Sequence, residues 1–306
     1  MENLRKVQLE SGAELSEDTA IPLSFGNDSL GLSAAKTGIA IVDRSHWGLL
    51  KISGEDRLRY LHNQSTNDFN QLKPGEGCDT VFVTSTGRTL DLATAYVTED
   101  SILILVSPNR RQQLLKWLDG FIFPFDKVNL NDLTEENAIF TLVGSQSNVF
   151  LSQLGLANWE DRPIYHHELV TLDDITLRLG VGSGLALPGS TLIVPIQDAA
   201  KVWSKLTNAG AVPIGDRVWS QLRIEQGRPA AERELTEDYN PLEAGLWYTI
   251  SFNKGCYIGQ ETIARLNTYK GVKQRLWGIK LSDRVSPQTP ITLEEQKVGI
   301  LTSYAD

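Results

Sequence analysis

Cysteine and histidine are scarce. The 306 residues contain two cysteines, Cys78 and Cys256, and four histidines, His46, His62, His166 and His167. There is no CxxC and no Cys/His cluster, so neither a disulfide framework nor a thiolate metal site is supported. An iron–sulfur cluster usually takes four thiolates, which this chain alone cannot supply. His166 and His167 are neighbours and on a strand would face opposite sides. No apolar run approaches the ~20 residues of a membrane span. The opening MENLRKVQLESGAELSED is polar and acidic, unlike a signal or transit peptide. The expected location is the cytoplasm, with no membrane partner.

Positive charge is also in the minority. Lys and Arg number 29 against 38 Asp and Glu, a net charge of -9, which argues against a nucleic-acid partner. One stretch runs the other way: between Thr262 and Arg284, Arg265, Lys270, Lys273, Arg275, Lys280 and Arg284 face only Asp283. It reads either as a solvated basic surface or as an anion site. Nucleotide loops are missing as well. Neither Gly26 nor Gly182-Ser183-Gly184 is followed by GK[ST], and no GxGxxG opens a helix after a strand. No linker rich in Pro, Gly or Ser interrupts the chain, and no internal repeat is present.

What the chain does have is a 41% hydrophobic content, enough for a substantial core divided into two or three units. Residues 38–53 alternate apolar runs with single polar residues and predict two short strands with a turn near Asp43 to Ser45. A helix then starts at Gly54-Glu55-Asp56, carries Leu58, Leu61 and His62 on one side, and ends in the polar cluster Asn63 to Asp68. Pro74-Gly75 marks a turn. Strands follow at 80–85, 89–97 and 101–106, the first two joined through Gly87-Arg88. Pro108 and Gly120 bracket a helix. Beyond it the pattern predicts strands at 127–130, 138–143, 175–179 and 192–195, with helices at 145–154 and 197–209. A helix carrying Arg217, Gln221 and Ile224 is stopped by Gly227, and strands close the chain at 274–281 and 298–303. The alternation indicates an α+β unit of ferredoxin-like type.

The most unusual stretch is Lys254-Gly255-Cys256-Tyr257-Ile258-Gly259-Gln260-Glu261. Glycines bracket a lone thiol, and a thiol beside a cation gains thiolate character, a role Lys254 could fill. Gln260 and Glu261 add an amide and a carboxylate for orienting a polar ligand or accepting a proton. The other reading is a small buried hydrophobe in a tight turn beside a solvated lysine.

This octet meets every fixed position of the signature K-G-C-[FY]-x-G-Q-E. It thereby resembles the YgfZ-type folate-binding proteins, relatives of the glycine-cleavage aminomethyltransferase (T-protein) that serve iron–sulfur cluster assembly and repair. The opening of the chain resembles that superfamily too, through Gly38, Asp43, Ser45, Gly48, Thr66-Asn67-Asp68, Pro74-Gly75 and Gly87 to Asp91. A third match is R-x-E-x-G-x-P at Arg223, Glu225, Gly227 and Pro229, followed by P-x-E-A-G-L from Pro241 to Leu246.

The resemblance implies an aminomethyltransferase-like folate-binding fold with interleaved ferredoxin-like subdomains over residues 1–270. Over residues 271–306 it implies a small, incomplete C-terminal β-barrel, whose open edge could pair with another chain. It implies tetrahydrofolate as the ligand and iron–sulfur proteins or their assembly machinery as partners. Within the site, Cys256 is the central residue, with Lys254 favouring the thiolate and Glu261 handling protons. Glu225 becomes the leading pterin contact, supported by Arg223, because a carboxylate accepts two parallel N–H donors. Gln260, Glu261 and Arg265 fall near the folate pocket, and the basic stretch would suit a glutamate tail.

Two positions depart from the T-protein. Asp91 matches the first acidic residue of its folate-contacting hairpin but the second is Leu92, and Asp79 stands where it has a folate-contacting tyrosine. Two other readings therefore stand beside the helper: a one-carbon transferase using Asp91 as acid/base, and a folate-sensing scaffold without chemistry.

Overall fold

The computed structural model describes residues 1–156, 159 and 161–305. Along these residues run α1 (Glu2–Glu10), β1 (Glu14–Leu15), β2 (Pro22–Ser24), α2 (Asp28–Thr37), β3 (Ala40–Asp43), β4 (Gly48–Ser53), α3 (Arg57–Gln64), β5 (Gly77–Val83), β6 (Thr89–Val97) and β7 (Ser101–Val106). They continue as α4 (Arg111–Asp119), β8 (Asn129–Asp132), β9 (Asn137–Val143), α5 (Ser147–Gln153), β10 (His167–Leu172), β11 (Ile175–Val181), β12 (Gly189–Pro195), α6 (Ala199–Asn208), β13 (Val212–Ile214), α7 (Asp216–Glu225), α8 (Gln260–Thr268), β14 (Pro290–Leu293) and β15 (Gln296–Ile300). This is the α+β architecture expected from the sequence.

Two sheets carry the fold, a six-stranded one in the order β10-β11-β12-β9-β3-β13 and a five-stranded one in the order β5-β6-β7-β4-β8. The chain leaves the first after β3, builds the whole of the second, and returns with β9. The turn expected at Asp43 to Ser45 is the crossing between the two sheets. It is held by α1, whose Gln8 amide donates to Asp43 Oδ2 at 2.9 Å and whose Arg5 pairs with the same carboxylate. Neither α1 nor α2 was expected, because their stripes are short and interrupted by Lys, Gln, Ser and Gly.

The inner faces of the sheets meet over Leu49, Tyr96 and Leu105 on one side and Ile139, Val143 and Ile193 on the other, with Trp47 and Trp219 in the same cluster. Burial of each such side chain is worth ~1.5–3 kcal/mol. Alternation along β6 sends Leu92, Thr94 and Tyr96 to this shared face and Asp91, Ala93, Ala95 and Val97 to the far face, where α3 and α4 pack. On β5, Asp79 pairs with Thr94 in register and so also points inward.

At the C-terminal end the structure departs from expectation. The strand expected at 274–281 is irregular and exposed, with Trp277 75% accessible, and among the described residues no strand pairs with it. In place of a barrel, the described residues form one antiparallel hairpin, β14 with β15.

Candidate functional site

The sequence-predicted residues are dispersed. The Lys254 ammonium enters the end of α3, where Nζ donates to the carbonyls of Ser65 at 2.8 Å, Asn67 at 2.6 Å and His62. A cation suits a helix C-terminus. Burial pulls this amine down to about 7, yet the three acceptors call for all three of its N–H groups. Lys254 thus gives its three N–H groups to the end of α3 and none to Cys256.

Cys256 itself is exposed in the loop before α8, so the buried-hydrophobe alternative fails for it. Next to it, a Cβ on Gly255 would lie 3.9 Å from Nε2 of His62, whose Nδ1 is 3.0 Å from Asp68 Oδ1. Burial and the Lys254 charge lower the His62 pKa, so its ring is neutral.

Gln260 opens α8, and Glu261 and Arg265 pair across one turn of that helix at 3.4 Å, both largely exposed. Arg223 and Glu225 lie on different sides of α7, as their spacing requires. Arg223 turns inward to Glu234 at 3.3 Å and Ser303 at 2.9 Å. Glu225 turns outward, with Oε2 2.7 Å from Lys36 and Oε1 accepting from Gln221 at 3.0 Å. Both of its oxygens thus have partners, an arrangement unlike an open pterin-recognising carboxylate. Asp91 is fully buried on the far face of β6, accepting from the Ser107 N–H at 2.8 Å, with Oδ1 unpartnered. The neighbouring Leu92, on the opposite face of β6 from Asp91, packs with Val81, Val83, Leu235 and Leu242 and cannot move protons.

The polar centre of the molecule lies elsewhere, around Asp79. This carboxylate, 4% accessible, accepts from Thr94 Oγ1 at 2.6 Å, and its charge acts on Tyr165 and Tyr248. Arg228 Nη1 stands 4.0 Å away. Burial, then the Asp79 charge, raises Tyr165, which therefore keeps its proton. Tyr248 is 62% accessible.

Beside this group, Arg44 of the inter-sheet crossing is clamped between indoles, its Cζ 3.7 Å from the Trp47 centroid and 4.5 Å from that of Trp219. Its Nη1 donates to Thr141 Oγ1 and the Ser183 carbonyl, both at 3.3 Å. Arg228 donates to the Gly184 carbonyl at 2.8 Å. Gly184 has φ +78° and no side chain, and a Cβ there would sit 3.3 Å from Arg44 Nη1.

Sequence reasoning missed this group except for Asp79, which it met only as a departure at a tyrosine position. One signal was available: Asp43-Arg44 interrupts an otherwise apolar stretch next to a tryptophan, and a charge in such a place needs a buried partner. Two cavities lie away from the centre. One of about 670 Å³ is lined by Ser24, Asn27 and Arg217, and one of about 270 Å³ by Arg88, Glu243, Thr262 and Lys273. Among the described residues no His/Cys/Asp/Glu group could hold a metal ion, and no helix is long and apolar enough to cross a membrane.

Two interleaved sheets with a buried polar centre at their junction define an α+β protein. The chain belongs to the GCVT N-terminal domain family, whose model matches residues 30–254. It is 47% identical over 294 residues to a chloroplastic protein of Arabidopsis thaliana whose name assigns it provisionally to the transferases, covering 96% of this chain and 68% of that one. It is 26% identical to an aminomethyltransferase of Halalkalibacterium halodurans, covering 93% of this chain and 79% of that one. In fold it is similar to the glycine cleavage system aminomethyltransferase T of Bartonella henselae, with a TM-score of 0.78 at 17% identity over 87% of this chain and 74% of that one.

Proposed function

We propose that the chain binds tetrahydrofolate at the junction of the two sheets and serves, in the cytoplasm, as an accessory protein for assembly or repair of iron–sulfur proteins. The observation that carries the folate reading is the donor set around Asp79. A pterin presents two adjacent N–H donors and a carbonyl on one edge, complementary to a carboxylate beside a guanidinium, here Asp79 and Arg228. Trp47, Trp219, Tyr165 and Tyr248 supply the aromatic surroundings a flat heterocycle requires. When bound, the folate would supply a one-carbon carrier or a reduced ring. The chain's own residues hold the heterocycle's edge and shield it from water.

The accessory role is supported by the octet with its exposed Cys256, and by Leu92, which stands where the T-protein hairpin has its second acidic residue. A second reading, one-carbon transfer, is favoured by one feature: Asp79 brings a carboxylate to the inward face of the hairpin.

The deciding experiment is calorimetry with tetrahydrofolate on wild type, Asp79→Asn and Glu225→Gln. At least tenfold weaker binding in Asp79→Asn (about 1.4 kcal/mol) with unchanged binding in Glu225→Gln supports the central site. The reverse pattern would move the pterin to the outer end of α7. Absence of binding by wild type would refute the folate reading. For the finer role, Cys256→Ala should fail to restore iron–sulfur enzyme activity in cells lacking their own protein of this type. Methylene transfer to tetrahydrofolate that is lost in Asp79→Asn would instead establish the transferase.

A further inference from the structure

The cavity of about 270 Å³ is walled largely by hydrogen-bond donors. It lies between the β5–β6 turn, which brings Arg88, the turn that begins at Asn240, the α8 face that carries Leu266, and the segment of Gly271 and Lys273. Asn240 is 4% accessible, and its partners fix which way its amide is turned. Oδ1 accepts from the backbone N–H groups of Leu242 at 3.0 Å and Glu243 at 3.1 Å. The two N–H groups of Nδ2 are left over, and neither has a hydrogen-bond partner among the described residues. A donor held in a buried side chain costs free energy unless something accepts from it.

The charged groups of the wall call for the same kind of acceptor. Arg88 is anchored through Nη1, which donates to the Asp238 carbonyl at 3.1 Å, while its Nε and Nη2 have no hydrogen-bond partner among the described residues. Lys273 forms no ion pair or hydrogen bond among the described residues either. Glu243, the carboxylate of the wall, is turned to the protein: Oε2 accepts from the Asn240 N–H at 3.0 Å and lies 3.9 Å from Arg88 Nη1. Arg88 and Lys273 thus face a carboxylate that is already hydrogen-bonded. We infer that this cavity binds a phosphate group, carried by a small phosphomonoester or free in solution. Its donors approach from the hairpin, the Asn240 turn and the basic segment, and a tetrahedral phosphate offers acceptor oxygens in several directions where a carboxylate offers them in one plane. Leu266 and Gly271 leave an apolar side for an organic portion. Lys273 belongs to the basic stretch between Thr262 and Arg284, and the site is separate from the Asp79 centre and from any folate held there.

The test is calorimetry and the thermal unfolding midpoint of the full chain, titrated with inorganic phosphate against chloride at matched ionic strength. Glycerol 3-phosphate forms a second arm, and acetate and glutarate a third. Phosphate should bind saturably and raise the midpoint. Its affinity should fall at least fivefold in Lys273→Gln, which removes an exposed charge, and also in Asn240→Asp. The latter keeps an acceptor for the Leu242 and Glu243 N–H groups but turns the free donor into a second acceptor. Tighter binding of glycerol 3-phosphate than of inorganic phosphate assigns the site to a phosphomonoester, and the reverse order assigns it to free phosphate; both support it. Three results would overturn the inference: a response equal to that of chloride, an affinity retained in both variants, or tighter binding of the carboxylates than of phosphate. Because tetrahydrofolate is absent from these titrations, their outcome is separate from that of the folate experiment.

Discussion

Lys254 Nζ lies 2.6 Å from the carbonyl oxygen of Asn67, fastening the cysteine-bearing loop to the end of α3. The same ammonium serves Ser65 and His62, so Lys254→Met would orphan three carbonyls at a buried helix end. The expected cost is about 2–4 kcal/mol, measured as a lower urea midpoint with an unchanged slope. A loss below about 0.5 kcal/mol would mean that water replaces the ammonium there without penalty.

The two thiols should behave differently. Cys256 is exposed, whereas Cys78 is part-buried in the face of β5 that packs against α3 and α4, and burial pushes its thiol up. The thiolate is the nucleophile, so iodoacetamide at pH 7.5 should label one thiol per folded chain, and peptide mapping should place it at Cys256. Unfolding in urea should expose the second. Equal labelling of both in the folded protein would contradict the packing of β5.

Gly259 joins the octet to the hairpin between β5 and β6. It adopts φ +80°, and a Cβ there would come within 2.7 Å of the Thr84 carbonyl and 2.8 Å of Val83. Gly259→Ala should therefore cost about 1–3 kcal/mol from backbone strain alone, with the contact adding to it. Since Cys256 is three residues away, the same variant should change the alkylation rate of that thiol. An unchanged stability and rate would show that the turn relaxes freely.

Much of the architecture could be read from the sequence because periodic apolar runs specify strands and helices directly, as β5 to β7 and α6 illustrate. The layout of the site could not. Leu92 and Asp91 are adjacent, and only the register of β6 against β5 reveals which face of the sheet each takes. Arg44, Asp79, Tyr165, Arg228 and Tyr248 come from five separate stretches, so no spacing rule links them. Lys254 looked like a partner for the thiol because it stands two residues away. Its long side chain instead reaches a helix end distant in sequence, a contact that short-range patterns do not encode. Glu225 was identified from its motif, yet the outward turn of α7 gives its carboxylate to Lys36.

His167 carries a second internal check. Its Nε2 faces the Glu76 carbonyl at 3.2 Å, and its Nδ1 accepts from Arg178 Nη1 at 2.8 Å, leaving no position for another proton. Burial, reinforced by Arg178, lowers its pKa to about 4. The unfolded chain binds a proton near pH 6.5 that the folded chain refuses until about 4, so this histidine withdraws stability as pH falls through that window. In Arg178→Leu, NMR titration of the ring should show its pKa moving up toward 6.5. No movement would mean that burial alone sets it.

Asp91 has the opposite sign. Burial raises its carboxyl to about 6, against the Ser107 hydrogen bonds and Arg110, which act to lower it. Between the unfolded value of 3.8 and 6 the folded chain holds a proton that the unfolded chain has released. Stability from this group is therefore fully present below 3.8 and is lost as pH rises to 6, a loss of roughly 2–3 kcal/mol at neutral pH. Asp91→Asn keeps an acceptor for the Ser107 N–H without carrying a charge. Urea unfolding of the two proteins should give nearly equal stabilities at pH 4, with the variant ahead by about 1–3 kcal/mol at pH 7. If the variant is weaker at every pH, the carboxylate is ionised in the folded protein and paired with Arg110. Asp91 would then have to be returned to the list of charged groups available for chemistry.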